Sequence, residues 1–282
     1  MSLDQPPLEA LVERAKEGDA RALEEVVLRI KNDIFNLAVR MLWHPDDAED
    51  ATQEILLKIV TKLSSFRGES AFRTWTFRVA TNHLLTTRRS RAERAEMTFS
   101  EFAEDLAEGF ADTPASAEDD PEQRLLVEEV KIGCTQGMLL CLTREERVAY
   151  VRGEIFELEG EEAAQILDVT PSAFRKRLSR SRDRLRTFMR SHCGLVNSKA
   201  ACSCARRVAP AIAKGRVTSG HLLFAGRGQP AHIADAEAGT AEIEELHRVA
   251  GVFRSHPSYA APHGVMEAVR RIVTSGKYRV LD

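Results

Sequence analysis

The segment that decides the fold is residues 160–190, GEEAAQILDVTPSAFRKRLSRSRDRLRTFMR. Before the break at residues 168–171, DVTP, small and apolar residues form one side of a short helix. After the break, apolar side chains recur at three- and four-residue steps, which predicts a second helix with a buried stripe: Phe174, Leu178, Leu185 and Phe188. Thr170 is a good N-cap and Pro171 suits a first helical turn. Two helices joined by a tight turn predict a helix-turn-helix.

The second of these helices is strongly basic. Between residues 175 and 190 there is one acidic residue, Asp183. The basic residues in the same range are Arg175, Lys176, Arg177, Arg180, Arg182, Arg184, Arg186 and Arg190. A solvated basic surface on a structural helix is the alternative, but such surfaces usually mix both signs of charge. One-signed charge suits a phosphate backbone, so the pattern favours DNA binding.

Composition limits the class of protein. The chain has 282 residues, enough for two or three domains, and its 6% aromatic content favours helices over sheet. The formal net charge is −3, so acidic residues elsewhere must balance the basic helix. No apolar run approaches the roughly 20 residues that span a bilayer, and the N-terminus lacks a signal-peptide layout. We therefore expect a cytoplasmic protein without membrane contact, whose five cysteines are free thiols or metal ligands.

The N-terminal part predicts a compact all-α unit. Apolar residues at helical spacing fill residues 8–43, and a helix with an acidic first turn follows, where negative charge complements the dipole. Residues 66–70, FRGES, form a polar loop that contains a glycine, and another helix then runs to about Leu84, ahead of several arginines. Four helices with short connections make one bundle.

Three ordered motifs carry a resemblance. They are DDAEDATQE at residues 46–54, FRGESAFRTW at 66–75 and ATNHL at 80–84. This combination resembles region two of the extracytoplasmic-function (ECF) sigma factors, the promoter-specificity subunits of bacterial RNA polymerase. Residues 125–190 resemble region four of the same family, although LTREER at 142–147 lacks the proline usual there. The resemblance covers about the first 190 residues and implies that the chain binds the polymerase core and promoter DNA.

The resemblance also implies a docking surface for the polymerase core. In the family, the helix after residue 45 binds the coiled coil of the β′ subunit, and the β flap is a further contact of the core. The residues carried over are Asp46, Asp47, Glu49, Asp50, Gln53 and Glu54. Carboxylates ahead of an apolar stripe make a reasonable protein-docking helix. Capping of the helix dipole alone is the alternative explanation for some of these acids.

Two DNA contacts follow from the same resemblance. For the minus-ten element the matching residues are Arg67, Glu69, Ser70, Trp75, Asn82, Arg88 and Arg89, and the loop at 65–70 matches a pocket for a flipped-out base. Phe72 and Trp75 could stack on bases, but packing in the core is the alternative favoured for Trp75. For the minus-35 element we expect contacts from the start of the basic helix, through Ser172, Arg175, Lys176 and Arg180. Contact with phosphate, with protein or with solvent is expected of the later arginines, which are Arg182, Arg184, Arg186 and Arg190.

Residues 95–123 differ in character from both flanks. They hold ten acidic residues and no lysine or arginine, which predicts a weakly ordered linker. Phe99, Phe102, Leu106 and Phe110 have the spacing of a short amphipathic helix. In the family this connector passes through the active-site cleft and the RNA exit path. Mimicry of nucleic acid and a plain spacer role both remain open.

The predicted domains are 1–94 for region two, 95–123 for the linker, 124–190 for region four and 191–282 for a mostly helical C-terminal extension. The extension opens with His192, Cys193, Cys202 and Cys204. A zinc site, a thiol redox switch and incidental cysteines all fit these residues, and His221 could replace one of the adjacent pair. Cys134 and Cys141 lie seven residues apart, which indicates core positions on one side of a helix.

Four helices are predicted in the extension, at residues 208–213, 217–224, 241–253 and 265–273. We found no catalytic constellation there. The extension resembles those that some sigma factors of this group carry, and we expect it to fold onto the sigma modules or to bind a partner. An anti-sigma factor would be one such partner.

The leading hypothesis is therefore an all-α sigma factor that is not itself an enzyme and requires no cofactor. The first alternative is a helix-turn-helix regulator that acts without polymerase, but it leaves the FRGES loop unexplained. The second is a metal-dependent enzyme built on the extension, which lacks a motif such as H-E-x-x-H.

Overall fold

The computed structural model describes residues 6–87, 93, 97–109, 120–225, 228–229 and 241–274. Helices dominate these ranges, which confirms the all-α prediction, and the one addition within them is a pair of two-residue strands. Among the residues described, no helix combines the length and the apolarity needed to cross a membrane.

The N-terminal bundle consists of α1 (Leu8–Lys16), α2 (Ala20–Leu42), α3 (Pro45–Thr61), a 3-10 turn (Leu63–Ser65) and α4 (Phe72–Thr86). Gly18 ends the first connection with a φ of 100°, a conformation in which glycine carries no steric penalty. Asp19 then caps α2 by accepting hydrogen bonds from the backbone N–H groups of Arg21 and Ala22, each at 3.0 Å.

Part of the acidic linker forms α5 (Phe99–Ala107). A capping box begins it, because Thr98 and Glu101 bond each other's backbone N–H. Phe99 and Phe102 lie against the ring of Phe188, with centroid distances of 5.1 and 5.5 Å. The amphipathic pattern therefore does form a docked helix, while Phe110 lies outside the described residues.

The second helical unit contains α6 (Pro121–Leu140), α7 (Arg144–Tyr150), a π-helical turn (Val151–Ile155), α8 (Gly160–Ile166) and α9 (Pro171–His192). The Thr143–Glu146 capping box is present at the start of α7, as its sequence indicates. The turn between α8 and α9 contains Asp168 at a φ of 52°. Aspartate is one of the few residues besides glycine that adopts this conformation with ease.

The C-terminal extension adds α10 (Cys204–Ala213), β1 (Gly228–Gln229), α11 (Ala241–Arg254), β2 (Ser258–Tyr259) and α12 (His263–Thr274). The strands pair antiparallel, with Gly228 opposite Tyr259. Three of the four predicted helices are confirmed, with shifted ends.

The helix predicted at residues 217–224 is wrong. The Glu129 carboxylate accepts hydrogen bonds from the backbone N–H groups of Leu223, Phe224 and Ala225, at 2.7 to 2.9 Å. These N–H groups are thus satisfied without helical hydrogen bonds. An isolated bridge joins Thr218 to His221, and Gly220 between them has a φ of 82°.

The helical units pack against one another where α2 meets α6 and where α4 meets α8. The indole Nε1 of Trp43 donates to the carbonyl oxygen of Gly133 at 3.1 Å, joining the end of α2 to α6. Arg147, 3% exposed, donates to the Leu139 carbonyl and pairs with the buried Glu93 carboxylate at 2.8 Å. The extension covers this assembly, since α10 packs on α6, α11 on α9 and the π-helical turn, and α12 on α3.

Candidate nucleic-acid and polymerase interfaces

The start of α9 presents a basic surface. Thr170 caps the helix by accepting a hydrogen bond from the backbone N–H of Ala173 at 3.2 Å, and Pro171 occupies the first turn. Phe174 and Leu178 point into the core, which turns the intervening residues outward. Ser172, Arg175, Lys176 and Arg180 are all exposed, and we call these four residues the basic surface of α9. The structure thus brings together the residues predicted to contact the minus-35 element.

The later arginines of α9 contact protein instead. Arg182 pairs with the buried carboxylate of Glu154 in the π-helical turn. Arg184 pairs with Glu146 at 2.6 Å and donates to the Cys141 carbonyl at 3.2 Å. Of the three roles left open for these side chains, contact with protein is the one found for Arg182 and Arg184.

The acidic surface of α3 consists of Asp46, Asp47, Glu49, Asp50, Gln53 and Glu54. His44 caps the helix through its Nδ1 atom, which accepts from the Asp46 N–H at 3.2 Å. Asp46, Asp50 and Glu54 are exposed and lie four residues apart, on one side of the helix. The other three are half-buried, and α12 of the extension packs on the same helix.

The loop before α4 combines exposed polar groups with a buried aromatic cluster. Arg67 and Glu69 are exposed and Ser70 is half-buried. Between Arg67 and Glu69, Gly68 has a φ of 73°. On α4, Asn82 is exposed, which a residue that contacts a DNA strand has to be. Arg88 and Arg89 lie outside the described residues.

Trp75 belongs to the core of the N-terminal bundle. Its side chain is 8% exposed, and its ring lies 5.6 Å from those of Phe66 and Phe72. Phe72 is fully buried. This burial favours the packing role over stacking on bases, for which a ring face must be accessible.

The cysteines of the extension come together with one that the sequence placed elsewhere. Cys193 is the C-cap of α9, Cys204 is the first residue of α10, and Cys202 lies just before it. Cys193, Cys202 and Cys204 border one cavity. Cys134, predicted to be an ordinary core residue of α6, borders it as well. His192 also borders it, but its ring lies against Phe188, with a centroid distance of 4.9 Å. His221, the predicted substitute ligand, is exposed on the bridge with Thr218.

Two family patterns match this chain. "Sigma-70 region 2" matches residues 26–94, and "Sigma-70, region 4" matches residues 132–185. The RNA polymerase sigma-H factor of Pseudomonas aeruginosa is 32% identical over 184 residues, which are 64% of this chain and 93% of that protein. The chain belongs to the ECF RNA polymerase sigma factors.

A second sigma factor agrees with that membership. The ECF RNA polymerase sigma-E factor of Haemophilus influenzae is 31% identical over 178 residues, covering 62% of this chain and 91% of that protein. The solved structure of CnrH in complex with the cytosolic domain of CnrY is 23% identical and covers 64% of this chain and 95% of that chain, with a TM-score of 0.41. In this sigma factor, α2 to α4 lie largely in the region 2 match, and α7 to α9 lie largely in the region 4 match.

Sequence reasoning missed the contacts that join the extension to the sigma regions. Cys134 is the clearest case. The nearby glycines Gly133 and Gly137 are a sequence signal that other elements approach α6 closely at this point. A Cβ atom at Gly137 would lie 3.2 Å from the Phe102 ring, and one at Gly133 would lie 3.8 Å from the Phe224 ring. Glycines on one side of a helix mark close approach of other elements, and Cys134 lies between them.

Proposed function

We propose that this chain is a sigma subunit that binds the RNA polymerase core and directs initiation at a specific class of promoters. The observation that carries the proposal is the presence, in one chain with both sigma regions, of an outward-facing basic surface on α9 and an acidic surface on α3. The polymerase performs the chemistry and the sigma factor supplies recognition. We place this activity in the cytoplasm, where bacterial polymerase works.

Core binding is assigned to the acidic surface of α3. Its exposed members, Asp46, Asp50 and Glu54, form a stripe of three carboxylates. Carboxylates on an otherwise well-packed helix can pair with basic side chains of a partner helix, and their removal should mainly slow association. Gln53 and Glu49 would add contacts at the edge of this stripe once they are uncovered.

Promoter recognition is assigned to two separate surfaces. The basic surface of α9 would enter the major groove at the minus-35 element, where Arg and Lys read guanine or hold nearby phosphates. The loop with Arg67, Glu69 and Ser70, together with Asn82 and the arginines at 88 and 89, would hold the opened strand at the minus-ten element. The cost of extruding a base, a few kcal/mol, would be offset by contacts in that loop.

The described arrangement covers part of the docking surface. A Cβ atom at Gly264, in the first turn of α12, would lie 2.9 Å from Oε1 of Glu49. Behind this contact, Val265, Met266 and Val269 are buried, and Nε of Arg270 donates to Oε1 of Glu24 on α2 at 2.9 Å. A polymerase helix that is to contact Glu49 would therefore have to displace α12.

Region 4 in turn covers part of α4. The Thr74 hydroxyl donates to Oε1 of Glu162 on α8 at 3.1 Å. Arg152 of the π-helical turn is fully buried, with its guanidinium carbon 4.0 Å above the Phe77 ring of α4. Promoter elements a few helical turns apart require the two regions to separate, so we infer that this closed arrangement opens in the polymerase complex.

The buried side chain of Arg152 destabilises the closed arrangement. Its Nε and Nη1 atoms are buried without a hydrogen-bond partner, and burial lowers the pKa of its guanidinium to about 9. A buried charge without a carboxylate partner is costly, and exposure to water on opening relieves that cost. The extension also packs on this π-helical turn through α11, which supports a regulatory role for it. A partner that binds the extension, such as an anti-sigma factor, stays a prediction.

The proposal is tested by core binding. Labelled full-length chain is titrated with purified core polymerase, and Asp46→Ala and Asp50→Ala are compared with Glu9→Ala, an exposed acid in the first turn of α1. We expect weaker binding for the two α3 variants and unchanged binding for Glu9→Ala. Equal core binding by all variants would contradict the docking assignment. Tight promoter binding without core, and no binding to core, would favour the polymerase-independent regulator.

A further inference from the structure

Four of the five cysteines converge on one cavity. Its volume is about 290 Å³, and it is bordered by Cys134, Cys193, Cys202 and Cys204. None of the five cysteines is in a disulfide. The fifth, Cys141, lies apart from the cavity, with its Sγ directed at the Gly137 carbonyl at 3.6 Å. We call the four convergent residues the thiol cluster.

Three separate segments build the thiol cluster, and local structure holds each of them. Cys193 ends α9, and its carbonyl oxygen accepts from the N–H groups of Val196 and Asn197, at 3.2 and 2.9 Å. The chain then returns, and the Gly194 N–H donates to the Cys202 carbonyl at 3.0 Å. A Cβ atom at Gly194 would lie 2.3 Å from that oxygen, so this approach requires glycine.

Cys204 has a second constraint. Ser203 caps α10 by accepting from the Arg206 N–H at 3.4 Å, which places Cys204 at the first helical position. Helix N-termini stabilise thiolates through the dipole. Cys134 approaches from the opposite side, on α6, where the neighbouring glycines allow close packing.

The surroundings of the cluster suit bound thiolates better than a reactive thiol. Cys193 and Cys202 are buried, and Cys134 and Cys204 are half-buried, so water has limited access to the four thiols. Lys131 and Arg207 border the same cavity and would offset the charge of thiolates held by a metal ion.

We propose that Cys134, Cys193, Cys202 and Cys204 bind one soft divalent cation of the zinc type as a tetrathiolate site. Four sulfur ligands in tetrahedral arrangement are the donor set that selects zinc among divalent ions. A coordinating thiol releases its proton when the metal binds. The positive charge of the cation then offsets the negative charge of the thiolates.

The ligand set differs from the one that the sequence suggests. His192 and Cys193 are adjacent, and the His192 ring packs on Phe188, so Cys134 takes the fourth position. Within the described residues, no three His, Cys, Asp or Glu side chains are yet arranged to hold a metal ion. Cysteine has a single rotatable side-chain bond, so binding would require the four sulfurs to rotate from their present positions toward a common centre.

Such a site would fasten the extension to region 4. Cys134 belongs to α6 within the region 4 match, whereas Cys202 and Cys204 lie beyond it. Metal binding energy would then become folding energy for residues 193–213, as in other small metal-bound segments.

The test uses full-length protein purified without a histidine tag under reducing conditions. Zinc content is measured by elemental analysis, and the protein is then stripped and titrated with Co²⁺, whose thiolate charge-transfer absorption reports sulfur ligands. Cys134→Ser and Cys202→Ser are compared with Cys141→Ser as the matched control, with His192→Gln, and with Cys134→His as a conservative replacement. Far-UV circular dichroism checks that each variant folds.

We expect about one zinc per chain, thiolate absorption with Co²⁺, and a loss of affinity of more than about 100-fold in the two serine variants of the cluster. Cys141→Ser and His192→Gln should bind as the unmodified chain does, and Cys134→His should recover part of the lost affinity. Zinc far below one equivalent without Co²⁺ absorption would overturn the proposal. So would equal losses in Cys134→Ser and Cys141→Ser, or retained binding in Cys134→Ser with loss in His192→Gln.

Discussion

Asn36 in α2 forms two hydrogen bonds with the backbone of Tyr259, 223 residues further along the chain. Its Nδ2 donates to the Tyr259 carbonyl at 2.8 Å, and its Oδ1 accepts from the Tyr259 N–H at 2.9 Å. The Asn32 side chain adds a third bond, from the Ala261 N–H at 2.9 Å. Region 2 therefore holds the strand that leads into α12, and α12 in turn covers part of the acidic surface of α3, at Glu49.

Asn36→Ala should release this strand. The buried N–H and C=O groups of Tyr259 would lose their partners, which costs about 1–3 kcal/mol. We expect faster amide exchange across residues 258–274 and tighter binding to the polymerase core, because α12 no longer competes for α3. Asn82→Ala, an exposed asparagine on α4, is the control for the exchange measurement. Unchanged exchange in Asn36→Ala would contradict the role of this pair.

Arg175→Ala should weaken promoter binding without changing the helix content. A base-edge contact is worth about 1–3 kcal/mol, so affinity should fall by roughly 5- to 150-fold in a titration of the polymerase complex on promoter DNA. Arg190→Ala, at the far end of α9 and 72% exposed, is the matched control and should have a smaller effect. Equal affinities for the unmodified chain and Arg175→Ala would remove Arg175 from the recognition surface.

Arg152→Met should stabilise the closed arrangement. The long, unbranched methionine side chain can stay over the Phe77 ring and removes the buried charge, and apolar replacements of buried charged groups with similar volume are often neutral or stabilising by about 1–4 kcal/mol. The melting temperature of the free chain should therefore stay the same or rise, while core binding and transcription fall. A variant that melts earlier and transcribes better would show that Arg152 does not limit closure.

Acidification should loosen the extension through His256. Its imidazole is buried, its Nε2 lies 2.7 Å from the Thr135 hydroxyl, and burial lowers its pKa well below the ordinary value, with smaller effects from Arg40 and Lys131. Because the released or unfolded state binds the proton more readily, the stabilisation is complete above about pH 6.5 and is lost as the pH falls below it. The loss should reach about 1.4 kcal/mol per pH unit.

Chemical unfolding followed between pH 7 and pH 5 measures this dependence. His256→Gln, which cannot take up a proton, should unfold more easily at pH 7 but should lack most of the added loss toward pH 5. If the unmodified chain and His256→Gln change in parallel over this range, another group controls the pH dependence.

Features set by neighbours along the chain could be predicted from the sequence. The caps at Thr170 and Thr143 and the buried stripe of α9 depend on local spacing, and the structure has each of them where the pattern indicates. The outward direction of Ser172, Arg175, Lys176 and Arg180 follows from that stripe, since buried Phe174 and Leu178 fix the rotation of the helix.

Features set by distant partners could not be predicted in this way. The helix expected at 217–224 is missing because Glu129, on α6, binds the N–H groups of residues 223–225. In the sequence Cys134 has the features of an ordinary helix residue. In the structure the ends of α9 and α10 bring three other thiols to the cavity that it borders. In both cases the periodicity of a segment does not determine which distant side chain will contact it.

Sigma activity is measured directly by transcription in vitro from bacterial genomic DNA, with purified core polymerase and full-length chain, followed by sequencing of RNA 5′ ends. We expect start sites that depend on this chain and share two upstream elements, and these sites should disappear in the Asp46→Ala/Asp50→Ala double variant. Transcripts identical with and without the chain, from a core preparation that responds to a known sigma factor, would contradict this expectation.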